Sequence, residues 1–426
     1  MIRIKTLIRG GNVITMDSNF LESEELDVVF EDDKIVFVGH DYDGLYDNLI
    51  DATGKVVMPG LINCHTHLGM SLFRCSNDDY ALNDWLSNYI WPIEDKMTDD
   101  DFYYTTLLTC VEMIKTGCTC FNDMYFGNRN MEALIKSGIR GVYTRCLMGN
   151  LENGKYRIDE FMDLYNKYKD NKLIKFSVAP HSLYTCDLDY LKECGKLASS
   201  LNLPVHIHFS ENMNEVDDVT NRYGMKPGYV LEKAGLLNNK LILAHGTFIS
   251  DEELDLFNGH DVSICTNPVS NLNLGCGIAD LVKYSKKGLN VCLGTDGQGS
   301  GNNMNMFYHM SLVDYLQKGK YQDSTVMSSN DVLAMATVNG ARALGYDNLG
   351  SIKVGNLADI VILDLSSILV NPIVDLVNLV VHNCYGDVVD TTIVGGNILM
   401  EHKKLCIDVD EEELISKVDE IRGKYL

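Results

Sequence analysis

Hydrophobic and polar positions follow two different patterns along this chain. In MIRIKTLIRGGNVIT, LDVVFEDDKIVFVG and LIDATGKVVMPG, short apolar runs alternate with Gly, Asp and Asn turns, which predicts β-strands. The same pattern returns after about residue 345, in GSIKVGNLADIVILDL and DVVDTTIVGGNIL. Both chain ends are therefore predicted to be rich in strands and to complete one β-sandwich together. The charged stretch from Asp408 to Leu426 is predicted to be helical.

The middle of the chain alternates short apolar runs with amphipathic helices, which is the pattern of βα units. Eight such runs are present: VVMPGLINCHTH, TCFNDMY, GVYTRCLM, IKFSVAPHS, PVHIHFSE, LILAHG, DVSICTNP and NVCLGTDG. Between the first two, a helix is predicted from a Thr98–Asp101 capping box, an apolar stripe and a stop at Gly117. Eight parallel strands with intervening helices close into a TIM barrel. The alternative, an open doubly wound sheet, lacks its GxGxxG marker after the first strand.

The predicted fold class is therefore α/β, a TIM (β/α)8 barrel with a small β-sandwich domain built from both chain ends. The barrel is expected to be the metal-dependent catalytic domain and to span residues 58–345. The β-sandwich is expected to combine residues 1–57 with residues 346–426, which also contain the C-terminal helix.

Charge and cysteine content narrow the set of partners. Lys and Arg number 36 and Asp and Glu number 60, so the formal net charge is −24. Such a polyanion repels phosphate backbones and anionic lipid surfaces, so neither nucleic acid nor a membrane is expected as a partner. No run approaches the ~18 apolar residues of a membrane span, and the N-terminal residues lack the apolar core of a secretory signal. The 13 cysteines are spread singly, which predicts a reduced, cytoplasmic protein without a disulfide framework.

Candidate metal ligands fall at the ends of the predicted barrel strands. His65 and His67 end the first, His208 lies on the fifth, and Asp296 ends the eighth. The C-terminal ends of TIM-barrel strands share one mouth, which holds the active site. The i, i+2 spacing of the first pair puts both imidazoles on one face of a strand, although two buried, hydrogen-bonded histidines would look the same. With all four residues at one mouth, the sequence predicts an open catalytic site for one divalent metal, zinc or alternatively iron.

Asp296 and two further residues at this mouth are predicted to carry out the chemistry. Bound zinc lowers the pKa of its water to about 7. Asp296, with one oxygen on the metal and one free, is expected to accept the proton of that water, and Glu211 is expected to protonate the substrate. His245 is expected to hold the hydroxide or the developing oxyanion. Together these groups predict a hydrolase for a C–N or related bond, while His206, deeper on the fifth strand, is expected to be a satisfied core histidine.

The segments PGLINCHTH, PHSLY, HIHFSE, LAHG and LGTDG resemble the amidohydrolase superfamily in its one-metal branch, over nearly the whole chain. The dinuclear branch usually carries a carbamylated lysine on the fourth strand. Here Lys175 stands only at the start of that strand, which fits one metal. Within the superfamily, the chain most resembles the 5′-methylthioadenosine/S-adenosylhomocysteine deaminases. This resemblance implies a small-molecule nucleoside substrate and is compatible with a homo-oligomer.

The resemblance also implies substrate-binding residues. Glu94 in WPIED would bind the ribose hydroxyls, and Trp85 in NDWL would pack the 5′ substituent. Arg145 in YTRCL and Arg157 in GKYRID would meet the carboxylate of a homocysteine tail, as a guanidinium fork suits. His181 in APHSLY would line the ribose side. Further substrate contacts are expected from Glu211, Asp296 and Ser300.

Some positions around the pocket mouth depart from the family pattern. Asn212 stands where Thr is common, and Cys75 stands where Gly is common. Gln298 and Gly299 stand where small residues such as Ala are usual. These differences bear on the identity of the nucleoside and leave the metal chemistry unchanged.

Three functions compete at this stage. The leading hypothesis is a deaminase that releases ammonia and an inosine analogue from S-adenosylhomocysteine, 5′-methylthioadenosine, adenosine or 5′-deoxyadenosine. A triazine or halide hydrolase, or a guanine or pyrimidine deaminase, would use the same metal site, but its substrate has neither ribose nor carboxylate. A catalytically dead scaffold of the superfamily would typically lose metal ligands, and here all of them are present.

Overall fold

The computed structural model describes residues 3–17, 23–76 and 80–426, apart from the side chain of Asn83. Its strands in chain order are β1 (Lys5–Val13), β2 (Glu24–Glu31), β3 (Lys34–Gly39), β4 (Asn48–Asp51), β5 (Val56–Pro59), β6 (Leu61–Thr66), β7 (Cys118–Asp123), β8 (Arg140–Tyr143), β9 (Cys146–Leu147), β10 (Ile174–Phe176), β11 (Ala179–Pro180), β12 (Val205–Phe209), β13 (Leu241–His245), β14 (Val262–Thr266), β15 (Asn290–Leu293), β16 (Ile360–Leu363), β17 (Val389–Val394), β18 (Asn397–Glu401) and β19 (Lys404–Leu405).

Helices fill most of the connections between these strands. The α-helices are α1 (Leu82–Trp85), α2 (Trp91–Glu94), α3 (Asp99–Lys115), α4 (Asn130–Ser137), α5 (Lys155–Tyr168), α6 (Leu188–Leu201), α7 (Met213–Tyr223), α8 (Pro227–Lys233), α9 (Asp251–Phe257), α10 (Pro268–Asn273), α11 (Leu281–Lys286), α12 (Gln298–Gly301), α13 (Met306–Tyr321), α14 (Ser329–Met335), α15 (Val338–Ala343), α16 (Leu376–His382) and α17 (Glu411–Tyr425). A π-helical turn, Leu86–Ile90, joins α1 to α2. Short 3-10 turns cover Leu68–Phe73, Leu236–Asn238, Ile368–Val370 and Gly386–Val388.

Parallel strands form the predicted barrel. The first four predicted runs pair in the order β6, β7, β8, β10, and the last four pair in the order β12, β13, β14, β15. The short strands β9 and β11 continue β8 and β10 and pair with each other. Val178 bridges to Val205, which joins the fourth strand to the fifth. The Asn63 side chain exchanges hydrogen bonds of 2.7 and 3.1 Å with Thr295, which joins the eighth strand to the first. The predicted TIM barrel is confirmed.

The two chain ends form one nine-stranded sheet in the order β19, β18, β17, β16, β5, β1, β2, β3, with β4 parallel to β1. Strand β5 joins the two ends, because it pairs in parallel with β1 and antiparallel with β16. The sheet has its own buried cluster, which includes Ile8, Val28 and Ile360. The predicted β domain is therefore present. Its boundaries stay a prediction, and β5 crosses the one expected after residue 57.

The helices predicted between Thr98 and Gly117 and after Asp408 are present as α3 and α17. The Thr98 hydroxyl accepts from the Asp101 amide at 3.2 Å, and the Asp101 carboxylate accepts from the Thr98 amide at 2.8 Å. The chain leaves the helix through Gly117, whose φ is +77°.

All 13 cysteines lie in the described residues and are free thiols. Among the helices of the described residues, none is long and apolar enough to cross a membrane.

A buried ion pair fastens the β domain to the barrel. Arg140, at the start of β8, donates from Nε and Nη2 to the two carboxylate oxygens of Asp359 at 2.7 and 3.0 Å. The Gly395 amide donates to the same carboxylate at 2.7 Å. Both charged side chains are almost fully buried. A buried charge that loses its partner is strongly destabilising, so each residue requires the other.

We expect Arg140→Met to lower the free energy of unfolding by about 3–5 kcal/mol, because it leaves the Asp359 carboxylate buried without its cation. Urea denaturation followed by circular dichroism measures this loss. The control is Lys192→Met, which breaks the exposed Lys192–Asp189 pair and should cost no more than about 1 kcal/mol. Equal losses in the two variants would show that the buried pair contributes nothing particular to stability.

Candidate metal and active site

Three residues at the mouth of the barrel have left-handed backbone conformations. The φ angles are 47° at Ser210, 72° at His245 and 63° at Asp296. Non-glycine residues rarely adopt this region, and doing so costs about 1–3 kcal/mol. All three follow or end a barrel strand, where the left-handed turn directs the chain across the mouth. Strained residues persist only where the surrounding structure holds them, and they cluster at functional sites.

The predicted metal ligands converge at this mouth. Asp296 Oδ1 lies 3.1 Å from His67 Nε2 and 3.3 Å from His65 Nε2. His208 Nε2 lies 3.2 Å from His67 Nε2. The contact between His65 and Asp296 lacks hydrogen-bond geometry, since His65 Nε2 is a buried nitrogen without a hydrogen-bond partner. The four residues thus come together from the first, fifth and eighth strands.

Hydrogen bonds at Nδ1 of His67 and His208 determine that Nε2 of each ring presents its lone pair to the metal centre. His67 Nδ1 lies 2.6 Å from the Met124 carbonyl, and His208 Nδ1 lies 2.7 Å from the His181 carbonyl. A carbonyl only accepts, so each Nδ1 carries the proton and each neutral ring presents a lone pair at Nε2. Two lone pairs 3.2 Å apart beside a carboxylate oxygen repel each other unless a cation lies between them. The donor set therefore fits a divalent metal.

Charge at the site favours a cation in the same way. Burial opposes protonation of His67, but the hydrogen bond and negative charge of Asp296 outweigh it and raise the pKa of His67 to about 9, so Nε2 beside Asp296 attracts a cation, either a proton or a metal ion that displaces it. Burial likewise disfavours the Asp296 carboxylate, yet the adjacent His65 and His67 rings hold its pKa well below its usual range. The carboxylate is thus ready to bind a positive ion.

His245 adds a further imidazole at the same centre. One ligand atom each from His65, His208, His245 and Asp296 all lie within 4.8 Å of one another. His245 Nδ1 lies 2.8 Å from the Asn271 side-chain oxygen, so that nitrogen is the donor and Nε2 carries the lone pair. Its Nε2 lies 3.9 Å from Glu211 Oε2. His245 therefore stands between the metal centre and the predicted proton donor, and Nε2 faces it as an acceptor.

Asp296 is held more tightly than expected. Its Oδ2 accepts hydrogen bonds from the hydroxyls of Ser270 at 2.6 Å and Ser300 at 2.8 Å. The expectation that one carboxylate oxygen is free is therefore wrong, because both oxygens are already engaged. Ser300 lines the cavity as expected of a substrate contact, but its hydroxyl proton is donated to Asp296. Ser270 was missed, although its segment NPVSN directly follows the seventh strand and was open to the same strand-end argument.

Glu211 has the surroundings of a carboxyl group that keeps its proton. The side chain is buried, and burial together with the nearby Asp296 charge raises its pKa. Its backbone amide donates to the Glu215 carboxylate at 2.8 Å, which fixes the chain just after the strained Ser210 turn. Cys276 Sγ lies 3.8 Å from Glu211 Oε1. A protonated carboxyl held in one place is suited to general acid catalysis.

His206 is buried as expected, but it is not isolated from the metal centre. Its Nε2 lies 2.8 Å from Nδ1 of His65, the first predicted ligand. Its own Nδ1 is a buried nitrogen without a hydrogen-bond partner in the described part of the chain. The expectation of a fully satisfied core histidine is therefore wrong. The i, i+2 spacing of His206 and His208 was the available signal, because it places both rings inside the barrel.

A cavity opens above the metal centre. Trp85, Glu94 and His181 line it, as expected of substrate contacts, together with the predicted ligands and Glu211. The Tyr125 hydroxyl donates to Glu94 Oε1 at 2.5 Å, and burial raises the pKa of Glu94 to about 7. An apolar wall with a few polar groups is typical of small-molecule sites.

Arg145 and Arg157 line a second cavity that adjoins the first, and the two cavities share Trp91, Glu94 and Phe126. Arg145 Nε donates to Glu160 at 2.8 Å, while Arg145 Nη1 and Arg157 Nε are buried without a hydrogen-bond partner in the described residues. Both arginine side chains line this cavity, so their positive charge can attract an anionic ligand there. The arginines are therefore placed beyond Glu94, away from the metal centre.

Residues 56–399 match the model of the amidohydrolase family. The chain belongs to the amidohydrolase family. Its similarity to individual family members extends over nearly its whole length. A 5-methylthioadenosine/S-adenosylhomocysteine deaminase of Thermoanaerobacter pseudethanolicus is 39% identical over 427 residues, which cover 99% of each chain. A 5'-deoxyadenosine deaminase of Methanothermobacter thermautotrophicus is 39% identical over 406 residues, which cover 94% of each chain.

Solved structures agree with this family. An adenosine deaminase from Xanthomonas campestris with bound zinc has a TM-score of 0.95 against this amidohydrolase at 29% identity. The match covers 99% of this chain and 98% of that one. The barrel and the sheet from both chain ends are therefore shared with a known zinc-bound member of the fold.

The positions that depart from the family pattern have identifiable contacts in this amidohydrolase. Asn212 caps α7 by accepting from the Glu215 amide at 2.9 Å. Gln298 is buried, accepts from Thr109 at 3.0 Å and donates to Glu112 at 2.9 Å, so it ties α12 to α3. At Gly299 an added Cβ would lie 2.9 Å from a ring carbon of Trp85, so glycine leaves room for that indole. Cys75 is exposed.

We expect the purified amidohydrolase to contain one divalent metal per chain, because the centre has lone pairs and a carboxylate for one cation. Replacing His67 or His208 by Ala should lower the metal content measured by elemental analysis. The control is His181→Ala, which changes a cavity residue outside the ligand set and should leave the metal in place. A wild-type protein with no metal, or with two metals per chain, would contradict the assignment.

Proposed function

We propose that this amidohydrolase is a metal-dependent hydrolytic deaminase of adenine nucleosides that carry a 5′ substituent. The reaction breaks the bond between the adenine ring carbon and its exocyclic nitrogen, and it releases ammonia and the inosine analogue. The observation that carries the proposal is the position of buried Glu211, 3.9 Å from His245 in the same cavity as the converging metal ligands. The printed names of the relatives support the same chemistry.

Each catalytic residue has a distinct part in this proposal. A divalent metal held by His65, His67, His208 and Asp296, zinc or alternatively iron, would supply Lewis acidity that makes water a nucleophile at neutral pH. Asp296 accepts the proton of the water and later passes it to the leaving amine, while His245, in the same cluster, holds the attacking oxygen. Glu211 donates its proton to the ring nitrogen next to the attacked carbon, and it takes back the remaining proton of the attacking oxygen as ammonia leaves and the carbonyl forms.

Several properties of the protein hold the proton transfers in place. Burial raises the pKa of Glu211, which favours the protonated form that a proton donor needs. Ser270 and Ser300 keep Asp296 from rotating while it passes a proton to the leaving amine. The cavity wall, with Trp85 among its residues, limits the access of other water molecules to the ring. These interactions restrict the reacting groups to one geometry, which is a major source of rate enhancement.

The two adjoining cavities support a nucleoside with an extension. Glu94 stands where they meet, and a carboxylate there can accept hydrogen bonds from the ribose hydroxyls. Beyond it, Arg145 and Arg157 line the second cavity, where their guanidinium groups suit the carboxylate of a homocysteine tail. A triazine or guanine has no anionic extension to reach these cations, which favours the deaminase of extended adenosines over that alternative. The cytoplasmic location and the homo-oligomer stay predictions.

We expect the zinc-loaded protein to release ammonia from S-adenosylhomocysteine, 5′-methylthioadenosine, 5′-deoxyadenosine and adenosine, and not from guanine. An enzyme-coupled ammonia assay measures this. Glu211→Gln should keep its metal and lose ~10²–10⁴ in turnover, because an amide cannot supply the proton. The control is the exposed Glu193→Gln, which should keep full activity. Release from guanine or a triazine alone would replace this proposal with its alternative.

We expect Arg145→Met or Arg157→Met to raise the KM for S-adenosylhomocysteine about ten- to a hundredfold. Losing one charged hydrogen-bond partner costs ~1.5–3 kcal/mol, and ~1.4 kcal/mol is tenfold. The KM for 5′-methylthioadenosine should hardly change, because that substrate has no carboxylate. Steady-state kinetics on both substrates measure the difference.

Two controls accompany this experiment. Arg129 pairs with Asp100 and Glu132 and lines neither cavity, so Arg129→Met should change neither KM. Glu160→Gln removes the charge that pairs with Arg145 and leaves Arg145 itself in place. It therefore shows whether a change in KM comes from the loss of this ion pair or from the loss of a contact between Arg145 and the substrate. If both substrates lose equally, the arginines maintain the cavity wall. If neither loses, the preferred nucleoside has no amino-acid tail.

A further inference from the structure

We propose that His206 is a positioning residue that holds His65 in the tautomer required for metal binding. The inference rests on the proposed metal site. His206 lies on β12, two residues before His208, and neither His206 nor His65 has any exposed surface. Their rings meet at 2.8 Å between His206 Nε2 and His65 Nδ1. This contact lies on the side of His65 opposite the metal centre.

One proton is shared across this contact, and its location decides what His65 can do. If His65 Nδ1 carries the proton, it donates to His206, and His65 Nε2 presents its lone pair to the centre shared with Asp296. If His206 Nε2 carries the proton, His65 Nδ1 is the acceptor. The proton of neutral His65 then sits on Nε2, where a cation cannot bind. Only the first arrangement supplies a metal ligand, and it requires His206 to be the acceptor.

His65 differs in this respect from the other two histidine ligands. His67 and His208 each place Nδ1 against a backbone carbonyl, at 2.6 and 2.7 Å. A carbonyl can only accept, so the fold itself fixes the tautomer of those two rings. His65 instead depends on a side chain that can either donate or accept. The tautomer of this one ligand is therefore set by a residue that can be replaced without changing the backbone.

The barrel holds the His206 ring firmly in place. The His206 amide donates to the Val178 carbonyl at 3.0 Å, and the residue pairs with Ile242 on the other side. Its strand is therefore bonded on both edges. When His206 accepts through Nε2, its own proton lies on Nδ1, which has no hydrogen-bond partner among the described residues. The contact with His65 is thus the only hydrogen bond of this ring within them.

The test measures zinc affinity of the apoprotein by competition with a chromophoric chelator. His206→Met and His206→Gln have side chains of similar length, but only Gln offers a strong acceptor to His65 Nδ1. We expect His206→Met to weaken zinc binding about 10–100-fold, as is typical when the hydrogen-bond partner of a metal ligand is lost. His206→Gln should keep most of the affinity. The control is His309→Met, another fully buried histidine whose ring nitrogens have no hydrogen-bond partner in the described residues.

The outcomes separate this inference from the proposed function. A wild-type protein that binds no zinc refutes the proposed metal site itself. If the wild type and His206→Met bind zinc equally, the role of His206 is wrong and the metal site stands. Nuclear magnetic resonance of the zinc-loaded wild type, labelled with ¹⁵N-histidine, decides the matter if His206→Met does not fold. A proton on His206 Nδ1 supports the inference, and a proton on His206 Nε2 overturns it.

Discussion

Repulsion between electron-rich atoms at the barrel mouth is the constraint on which the rest of the site depends. Imidazole nitrogens of His67 and His208 stand 3.2 Å apart, with Asp296 Oδ1 3.1 Å from the first. Such a cluster is favourable only around a cation, and it must be held together by interactions behind it. The left-handed backbone at His245 and Asp296 serves the same cluster, because the chain must turn sharply at these strand ends to bring both side chains inward.

The interactions behind the cluster are of two kinds. Backbone carbonyls of Met124 and His181 fix two imidazole rings, and they do so through the barrel strands themselves. Side chains fix the other groups, since Ser270 and Ser300 hold Asp296 and Asn271 orients His245. Glu215 holds the chain beside Glu211 in the same manner. The proposed catalytic groups are therefore positioned by hydrogen bonds to buried atoms, which would keep their geometry fixed during proton transfer.

Charge is distributed unevenly in this protein. The chain has a formal net charge of −24, yet Arg145 and Arg157 lie together beside the substrate cavity with N–H groups that no described residue accepts. Because salt screens charge interactions beyond short range, these two cations attract only anions that come close to them. Arg140, in contrast, is fully paired with Asp359 and connects the barrel to the β domain. The Arg140–Asp359 pair serves stability, whereas Arg145, which pairs with Glu160 through Nε, and Arg157 line a cavity that can take a ligand.

Much of the fold and of the candidate site could be predicted because their signals are local. The βα pattern identified eight strands, and strand-end position alone singled out His65, His67, His208 and Asp296. The capping box at Thr98 and the stop at Gly117 depend on neighbours within a few residues, and both are present. Period and spacing are properties of the chain, so the sequence by itself determined the barrel, the β-rich ends and the location of the metal centre.

Tertiary structure decided the contacts between distant residues. Ser270 meets Asp296 across 26 residues, and His206 meets His65 across 141, so no spacing in the chain reveals either pair. These contacts corrected the free oxygen expected on Asp296 and the satisfied ring expected for His206. Only the folded barrel placed Arg145 and Arg157 in a cavity that adjoins the one above the metal centre. The physical reason is that a hydrogen bond depends on distances of a few tenths of an ångström, which closure of the barrel fixes and sequence pattern does not.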